Sequence, residues 1–393
     1  MKKVIITDLL ILAVFGSTCF WSVKKDRLTA LVDKILTEQT SEDEEILVLT
    51  SSNLAKKNGR IGETQMSENA DKASEENTTK DYIKWVDFTV SKFALTESYE
   101  YDRDTYGMDR HISWNDLLAW TAAHTGGKFG DDRTVCKCME ELEMEAEAGK
   151  KLEELTEDLE YFPYYREVYE TVLGGMVGEY EIEEPDAQGR KVTQKRYGLK
   201  AFHPIAKGFP YTDYDDFGAS RSYGYRREHL GHDMMGQVGT PVVCVESGYV
   251  EALGWNQYGG WRIGIRSFDK KRYYYYAHLR QGFPYQPELK EGSVVLAGDV
   301  IGYMGHTGYS TKEDVNNIDQ THLHVGMQLI FDESQKDSDN EIWIDCYQII
   351  GFLYRNQSET ARNDETKEWR RIYEMKDPAA EKYERTLDFS MYP

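Results

Sequence analysis

Short runs of β-branched and aromatic residues, separated by glycine-containing turns, dominate the second half of the chain. After Glu184 these runs recur at 241–247, 249–255, 261–267, 272–278, 300–304 and 324–330. Short apolar runs at regular spacing are typical of antiparallel strands joined by tight turns. The pattern therefore predicts a mainly antiparallel β domain over residues 185–350.

Residues 81–184 have a different, helical pattern. Ser113 can cap a helix, with Asp116 three residues further on and apolar residues at helical spacing behind it. Residues 134–159 are rich in strong helix formers, and residues 165–177 are a third candidate helix. We predict a helical domain here. It is a candidate module for recognising a substrate or a protein partner.

The first 23 residues differ from the rest of the chain. Lys2 and Lys3 precede a mainly apolar stretch over residues 4–21. A charged start and an apolar run are typical of a signal peptide, and the length nearly reaches the roughly 20 residues of a membrane anchor. Both interpretations place the rest of the chain outside the cytoplasm. The alternative is a buried N-terminal core helix.

Two further segments complete the predicted organisation. Residues 24–80 contain polar and acidic stretches with few aromatic residues, which predicts a flexible acidic linker. Residues 351–393 are predicted to be a helical and polar C-terminal tail. The fold class is therefore α+β and multidomain, with an N-terminal membrane segment and a helical domain followed by the β domain.

The charge balance limits the partners. The chain has 69 Asp and Glu against 47 Lys and Arg, a formal net charge of -22. Binding to a nucleic-acid backbone requires a basic surface, so we expect no nucleic-acid partner. An anionic partner of any other kind would have to be bound by a local site.

Six of the nine histidines lie in the segment from His229 to His324. Several of them are spaced from one another, or from an aspartate, as metal ligands commonly are. Asp233 follows His229 by four residues. His322 and His324 are two residues apart in a β-type run, so both side chains share one face of a strand. Zinc binds imidazole nitrogen and carboxylate oxygen, and a catalytic site uses three protein ligands. The His–Asp pair and one of the two later histidines supply three ligands, and the other histidine can assist proton transfer.

An ordered set of motifs then resembles a known family. The motifs are His229-x-Gly231-x-Asp233, Gly239-Thr240-Pro241-Val242, Tyr276-Ala277-His278-Leu279, the glycine-containing stretch 298–310, and His322-Leu323-His324. Together, over about residues 200–332, they resemble the lysostaphin/LytM-type zinc endopeptidases. The chain as a whole looks like the membrane-attached members found in clostridial and related Gram-positive bacteria.

The resemblance implies a function and a set of site residues. His229, Asp233 and His324 match the zinc ligands, which implies one Zn²⁺ per chain. His278 and His322 match two catalytic histidines, and Tyr223 resembles a tyrosine that faces the substrate in some members. The family cuts peptide bonds of peptidoglycan, in cross-bridges or stem peptides. The resemblance thus implies a zinc metalloendopeptidase that acts outside the cytoplasm, membrane-anchored or secreted to the cell wall.

The sequence departs from the family pattern in two ways. A polar stretch at residues 311–320 separates the glycine-containing motif from His322; it could restrict substrate choice, act as a lid, or be a passive surface loop. His232 and His306 are extra histidines, which we expect to be loop residues rather than ligands. Two alternatives to an enzyme remain: a non-catalytic wall-binding or scaffold protein in division or sporulation, and a solute- or carbohydrate-binding β domain with structural histidines.

Overall fold

The computed structural model describes residues 86, 88–222, 226–336 and 341–390. The predicted export segment at 1–23, the linker at 24–80 and Tyr223 lie outside the described residues. Residues Ile83–Pro393 belong to one compact unit. No described helix is both long and apolar enough to cross a membrane.

Seven helices are present in the described part of the chain, five before the first strand and two near the C-terminus. They are α1 (Lys92–Thr105), α2 (Trp114–Thr125), α3 (Asp132–Glu147), α4 (Leu152–Thr156), α5 (Phe162–Leu173), α6 (Tyr347–Leu353) and α7 (Pro378–Ser390). The predicted cap of α2 is confirmed: the Ser113 hydroxyl accepts a hydrogen bond from the Asp116 backbone N–H and donates one to its carboxylate. Gly126 ends this helix in the left-handed conformation, as glycine commonly does.

The helical domain predicted for residues 81–184 is wrong over its last eight residues, which form a strand. Strand β1 (Val177–Pro185) pairs with β2 (Lys191–Leu199) in an antiparallel hairpin. Glutamates favour helices, but here they alternate with Tyr180 and Ile182, a period of two that is typical of a strand. Both apolar side chains pack against the same small hydrophobic cluster.

The remaining strands build the β part, which is mainly antiparallel as predicted. They are β3 (Thr212–Asp213), β4 (Ser220–Ser222), β5 (Arg226–Glu228), β6 (His232–Met235), β7 (Pro241–Val243), β8 (Gly248–Asn256), β9 (Gly260–Ser267), β10 (Arg272–Ala277), β11 (Val294–Val295), β12 (Val300–Tyr303), β13 (His322–Leu329), β14 (Ile342–Ile344), β15 (Thr360–Arg362), β16 (Trp369–Arg371) and β17 (Met375–Lys376). Eight of them form the main sheet, in the order β11-β8-β9-β10-β13-β6-β3, with β14 also paired to β13.

The C-terminal tail differs from the predicted mixture of helix and polar coil. Strands β15 and β16 pair with each other, and β17 adds a third strand to the β1–β2 hairpin. Met375 of β17 is buried, which explains why this short segment is anchored. Only α7 matches the helical part of the prediction.

A buried ion pair connects the main sheet to helix α5. Arg272 of β10 donates to both carboxylate oxygens of Glu246, at 2.7 and 2.9 Å, and to the backbone carbonyl of Thr171, at 2.6 Å. Gly175 leaves room for this pair, because a Cβ there would lie 1.6 Å from the Glu246 carboxylate. Charge pairing and hydrogen bonding together satisfy Arg272, as a buried cation requires.

Candidate active site

The predicted metal ligands lie on and beside two neighbouring strands of the main sheet. Asp233 of β6 and His324 of β13 are direct partners in the antiparallel register, and His229 lies just before β6. His229 Nε2 is 3.0 Å from Asp233 Oδ1 and 3.0 Å from His324 Nδ1. His324 Nδ1 is 2.9 Å from Asp233 Oδ1. The fold therefore brings together the three predicted metal ligands, which are up to 95 positions apart in the chain.

This triangle of atoms fits a zinc ion. Tetrahedral zinc with bonds of about 2.0–2.2 Å separates its ligand atoms by roughly 3.3 Å, close to the 2.9–3.0 Å observed here. Two imidazoles and one carboxylate also match the three-ligand sets of catalytic zinc sites. His229 and Asp233 are buried and His324 is half-buried, so the cluster opens to the cleft on one side.

Asp216 contacts His229 at ring atom Nδ1, away from Nε2, which faces Asp233 and His324. The Nδ1 atom of His229 is 3.2 Å from Asp216 Oδ1 and 3.3 Å from the Asp216 carbonyl oxygen. The Asp216 carbonyl oxygen can only accept a hydrogen bond, so Nδ1 carries the hydrogen and Nε2 is free to bind a metal. Arg221 contacts Asp216 and also lies 3.2 Å from Asp233 Oδ2, which connects the two acids. Nothing in the sequence pattern pointed to Asp216.

Hydrogen bonds and charges keep Asp233 ionised. Burial raises the pKa of its carboxyl group, but the adjacent imidazoles of His229 and His324 outweigh burial and hold the pKa far below its usual range. Burial lowers the pKa of His229, whereas Asp233 and Asp216 raise it, with a net rise. Asp233 is therefore a carboxylate, the form in which it can bind a metal.

His278 and His322 lie next to this cluster. Their ring centroids are 4.6 Å apart, and the His278 ring is 5.9 Å from that of His324. Each has its Nδ1 beside a backbone carbonyl oxygen, that of Thr307 at 2.9 Å for His278 and that of Gln320 at 2.8 Å for His322. A carbonyl can only accept, so Nδ1 of each ring carries a hydrogen, and in the neutral ring Nε2 keeps its lone pair.

The backbone at His278 has an unusual conformation. Its φ angle is 60°, in the left-handed region that non-glycine residues rarely adopt. The N–H of His278 donates to Gly259 O and its carbonyl accepts from Gly305 N, so neighbouring loops hold it there. Burial and the nearby His322 and His324 lower the pKa of His278 well below its usual value.

The extra histidines have structural contacts. His232 is not the loop residue that the sequence predicts: it is the first residue of β6 and is buried, with Nε2 2.9 Å from Asp213 Oδ2. His306 has Nδ1 2.7 Å from the Ile318 carbonyl oxygen. Neither belongs to the three-residue cluster that could hold a metal.

The polar stretch at 311–320 lies mostly at the surface and borders the cleft. Its later residues Ile318 and Gln320 line the cleft, which has a volume of about 870 Å³. Asp314 accepts hydrogen bonds from Trp261 Nε1 at 2.7 Å and from Gly282 N at 2.8 Å. The stretch is thus attached to neighbouring loops along its length.

Comparison with known proteins agrees with this arrangement. Residues 227–338 match Peptidase family M23. The chain carries a peptidase M23 domain. The matched range includes His229, Asp233 and His324 as well as both flanking histidines.

Three curated relatives have similar sequences. L-Ala–D-Glu endopeptidase of Bacillus subtilis is 42% identical over 124 residues, 32% of this chain and 36% of the relative. Lysostaphin of Staphylococcus staphylolyticus is 39% identical over 84 residues, 21% of this chain and 16% of the relative. Glycyl-glycine endopeptidase ALE-1 of Staphylococcus capitis is 32% identical over 123 residues, 31% of each. The matched part of the chain thus spans about a third or less of these relatives.

Proposed function

We propose that the M23 domain is a zinc-dependent endopeptidase that hydrolyses peptide bonds of bacterial peptidoglycan. One observation supports this most strongly: His229, Asp233 and His324 place three ligand atoms within 3.0 Å of one another, beside two further histidines. A purely structural role would not need five ionisable side chains to converge at an open cleft. The relatives named for L-Ala–D-Glu and glycyl-glycine cleavage make peptide bonds of the wall the natural substrates.

His229, Asp233 and His324 would hold one zinc ion. Bound there, zinc would supply Lewis-acid activation of water and of the scissile carbonyl. Asp216 orients His229 through Nδ1, so that Nε2 keeps its lone pair for the metal.

His278 and His322 would move protons. Each is held through Nδ1 by a backbone carbonyl, which leaves Nε2 as the exchangeable position. One Nε2 accepts a proton from the attacking water, and the other, when its ring is protonated at both nitrogens, donates to the carbonyl oxygen or to the leaving amine. Fixed ring orientation matters because proton transfer needs donor and acceptor at hydrogen-bond distance.

The proposed location is outside the cytoplasm, because the substrate is there and residues 1–23 resemble an export segment. We also propose that this segment attaches the chain to the membrane or is cleaved for secretion. Residues 81–184 remain a candidate surface for a protein partner. Fractionation of the native host tests the location, and full-length protein found mainly in the cytoplasmic fraction would contradict it.

Digestion of purified peptidoglycan by the zinc-loaded chain tests the activity. We expect new amino termini in the wall fragments, and mass analysis of those fragments identifies the bond. Intact peptidoglycan together with tight wall binding and no bound zinc would instead support a scaffold protein.

A further inference from the structure

Two arginines in the wall of the cleft have no acidic partner within the part of the chain that the structure describes. Arg227 and Arg262 both line the cleft, and neither forms an ion pair with a carboxylate of the described residues. Other arginines of this region are paired: Arg221 with Asp216, and Arg266 with Glu333. The chain has a net charge of -22, so acidic residues are abundant. Two guanidinium groups in one cleft without a carboxylate partner among the described residues are therefore unusual.

Buried hydrogen-bond donors without acceptors concentrate in the same place. Among the described residues, three side-chain nitrogens are buried without an acceptor: Arg227 Nε, Arg262 Nη1 and Gln328 Nε2. All three residues line this cleft. Gln328 is only 2% exposed. These three atoms are enclosed by protein, so a ligand in the cleft would contact the other guanidinium nitrogens of the two half-buried arginines.

The sheet register places Arg262 close to the metal ligands. On one side, Arg262 of β9 pairs with Gly254 of β8. On the other side, Ile263 pairs with Tyr276 of β10, so the preceding residue Arg262 lies beside Ala277. Ala277 in turn pairs with His324. Strands about 4.8 Å apart therefore place the Cα atoms of Arg262 and His324 roughly 10 Å apart, about three residues of extended peptide.

Tyr309 holds Arg227 at the cleft, and both arginines act on a shared neighbour. Arg227 donates to the Tyr309 hydroxyl, and its guanidinium lies 5.1 Å from the centre of that ring. Burial raises the pKa of Tyr275 to about 12, while the charges of Arg262 and Arg227 act in the opposite direction. Both cations are thus within electrostatic reach of one residue in the cleft floor. A guanidinium group matches the two oxygens of a carboxylate in geometry and charge.

We propose that Arg262, assisted by Arg227, binds a carboxylate of the substrate peptide within about three residues of the scissile bond. This inference rests on the proposed function and makes it more specific. The cleft would prefer an acidic peptide, such as one with L-Ala–D-Glu, over a peptide made only of glycine.

Binding of uncleavable peptides separates recognition from catalysis. One probe is an L-Ala–D-Glu peptide blocked at both ends, with the scissile amide replaced by a ketomethylene group. The second probe has D-Gln in place of D-Glu, and the third is a blocked pentaglycine with the same replacement. Calorimetry on the zinc-loaded full chain should show the acid binding at least about tenfold more tightly than the amide.

Arg262 variants test which residue causes the preference. Arg262→Gln should reduce the acid-to-amide ratio to about one, whereas Arg262→Lys should keep part of the preference because it keeps the charge. Arg362→Gln is the matched control, since it removes the same charge from an exposed arginine outside the cleft. Equal affinity of the wild type for acid and amide would overturn the proposal, as would an unchanged ratio in folded Arg262→Gln.

The same peptides with normal amide bonds distinguish this inference from the proposed function. If the zinc-loaded chain prefers the acid in binding but cleaves no peptide and no peptidoglycan, the endopeptidase proposal fails and the carboxylate site stands. If it cleaves acid and amide peptides with equal kcat/KM and binds them equally, the endopeptidase proposal stands and the carboxylate site fails. A thermal unfolding curve for each variant shows whether it is folded.

Discussion

Gly231 lies directly against the imidazole ring of His324. A Cβ atom at position 231 would be 2.5 Å from both Cε1 and Nε2 of that ring, a distance that real side chains do not tolerate. The glycine between His229 and Asp233 therefore makes space for the third metal-binding side chain, which lies far away in the sequence. The spacing His-x-Gly-x-Asp thus has a physical reason beyond the two ligands.

We predict that Gly231→Ala weakens zinc binding by about 10–100-fold, the effect typical of losing support around a ligand. The added methyl group would displace the His324 ring while the fold is kept. Zinc affinity measured by competition with a chelator checks this. Gly130→Ala is the control, because nothing lies within 4 Å of a Cβ there. Equal zinc affinities of the two variants would contradict the account.

Alanine at His278 or His322 should retain zinc and lose turnover. Neither ring belongs to the metal-binding triangle, and each is held by a backbone carbonyl beside it. General acid–base groups contribute about 10²–10⁴-fold to rate, so we expect a loss of kcat in that range. Zinc content and kcat are measured on the same preparations. Zinc content below half of the wild-type value in either variant would show that the residue is a ligand.

Shortening residues 312–319 to a glycine-containing turn should change which wall peptides are cut. The stretch lies at the cleft edge, with Ile318 lining the cleft and Asp314 bound to Trp261 and Gly282. Zinc content should not change, because no member of the metal triangle lies in this stretch. Product profiles on peptidoglycans with different cross-bridges test the effect. Identical profiles and rates would mean that the loop is passive.

The helical region contains a glutamate that should make stability depend on pH. Burial, then the nearby Glu140 and Glu97, raises the pKa of Glu143 in α3 to about 7 from 4.5. The folded state therefore holds a proton that the unfolded state releases, so the full stability is present below pH 4.5 and is lost as pH rises through about 7. The loss can reach about 3 kcal/mol.

Glu143→Gln removes this ionisation. We expect it to raise the thermal unfolding temperature at pH 8 and to have little effect at pH 4. An exposed control such as Glu141→Gln should give much smaller differences at both pH values. A gain for Glu143→Gln that is the same at pH 4 and pH 8 would rule out ionisation as its cause.

Much of the sheet could be predicted because its strands carry strong local signals. The aromatic and β-branched run over 272–278 becomes β10, and the alternation of His322 and His324 puts both on one face of β13. Side-chain parity along a strand is a local property, so the sequence is enough to derive it. The hairpin at β1 was missed because glutamate favours helix, although the alternation with Tyr180 and Ile182 was present.

The surroundings of the site could not be predicted, because they depend on contacts between distant loops. Asp216 reaches His229 from a loop 13 positions earlier. The left-handed backbone at His278 is stabilised by Gly259 and Gly305, from two separate turns. Arg262 lies near the metal ligands only because β9 and β13 both flank β10. None of these relations leaves a periodic signal in the sequence.

The most direct test of the central proposal is zinc-dependent digestion of purified peptidoglycan by the full chain, with Asp233→Ala measured in parallel. Asp233 is within 3.0 Å of both His229 and His324, so its loss should abolish stoichiometric zinc as well as activity. We predict about one zinc per wild-type chain, new amino termini in its digests, and neither for Asp233→Ala. Stoichiometric zinc and wild-type hydrolysis in Asp233→Ala, or no hydrolysis by the zinc-loaded wild type, would contradict the account.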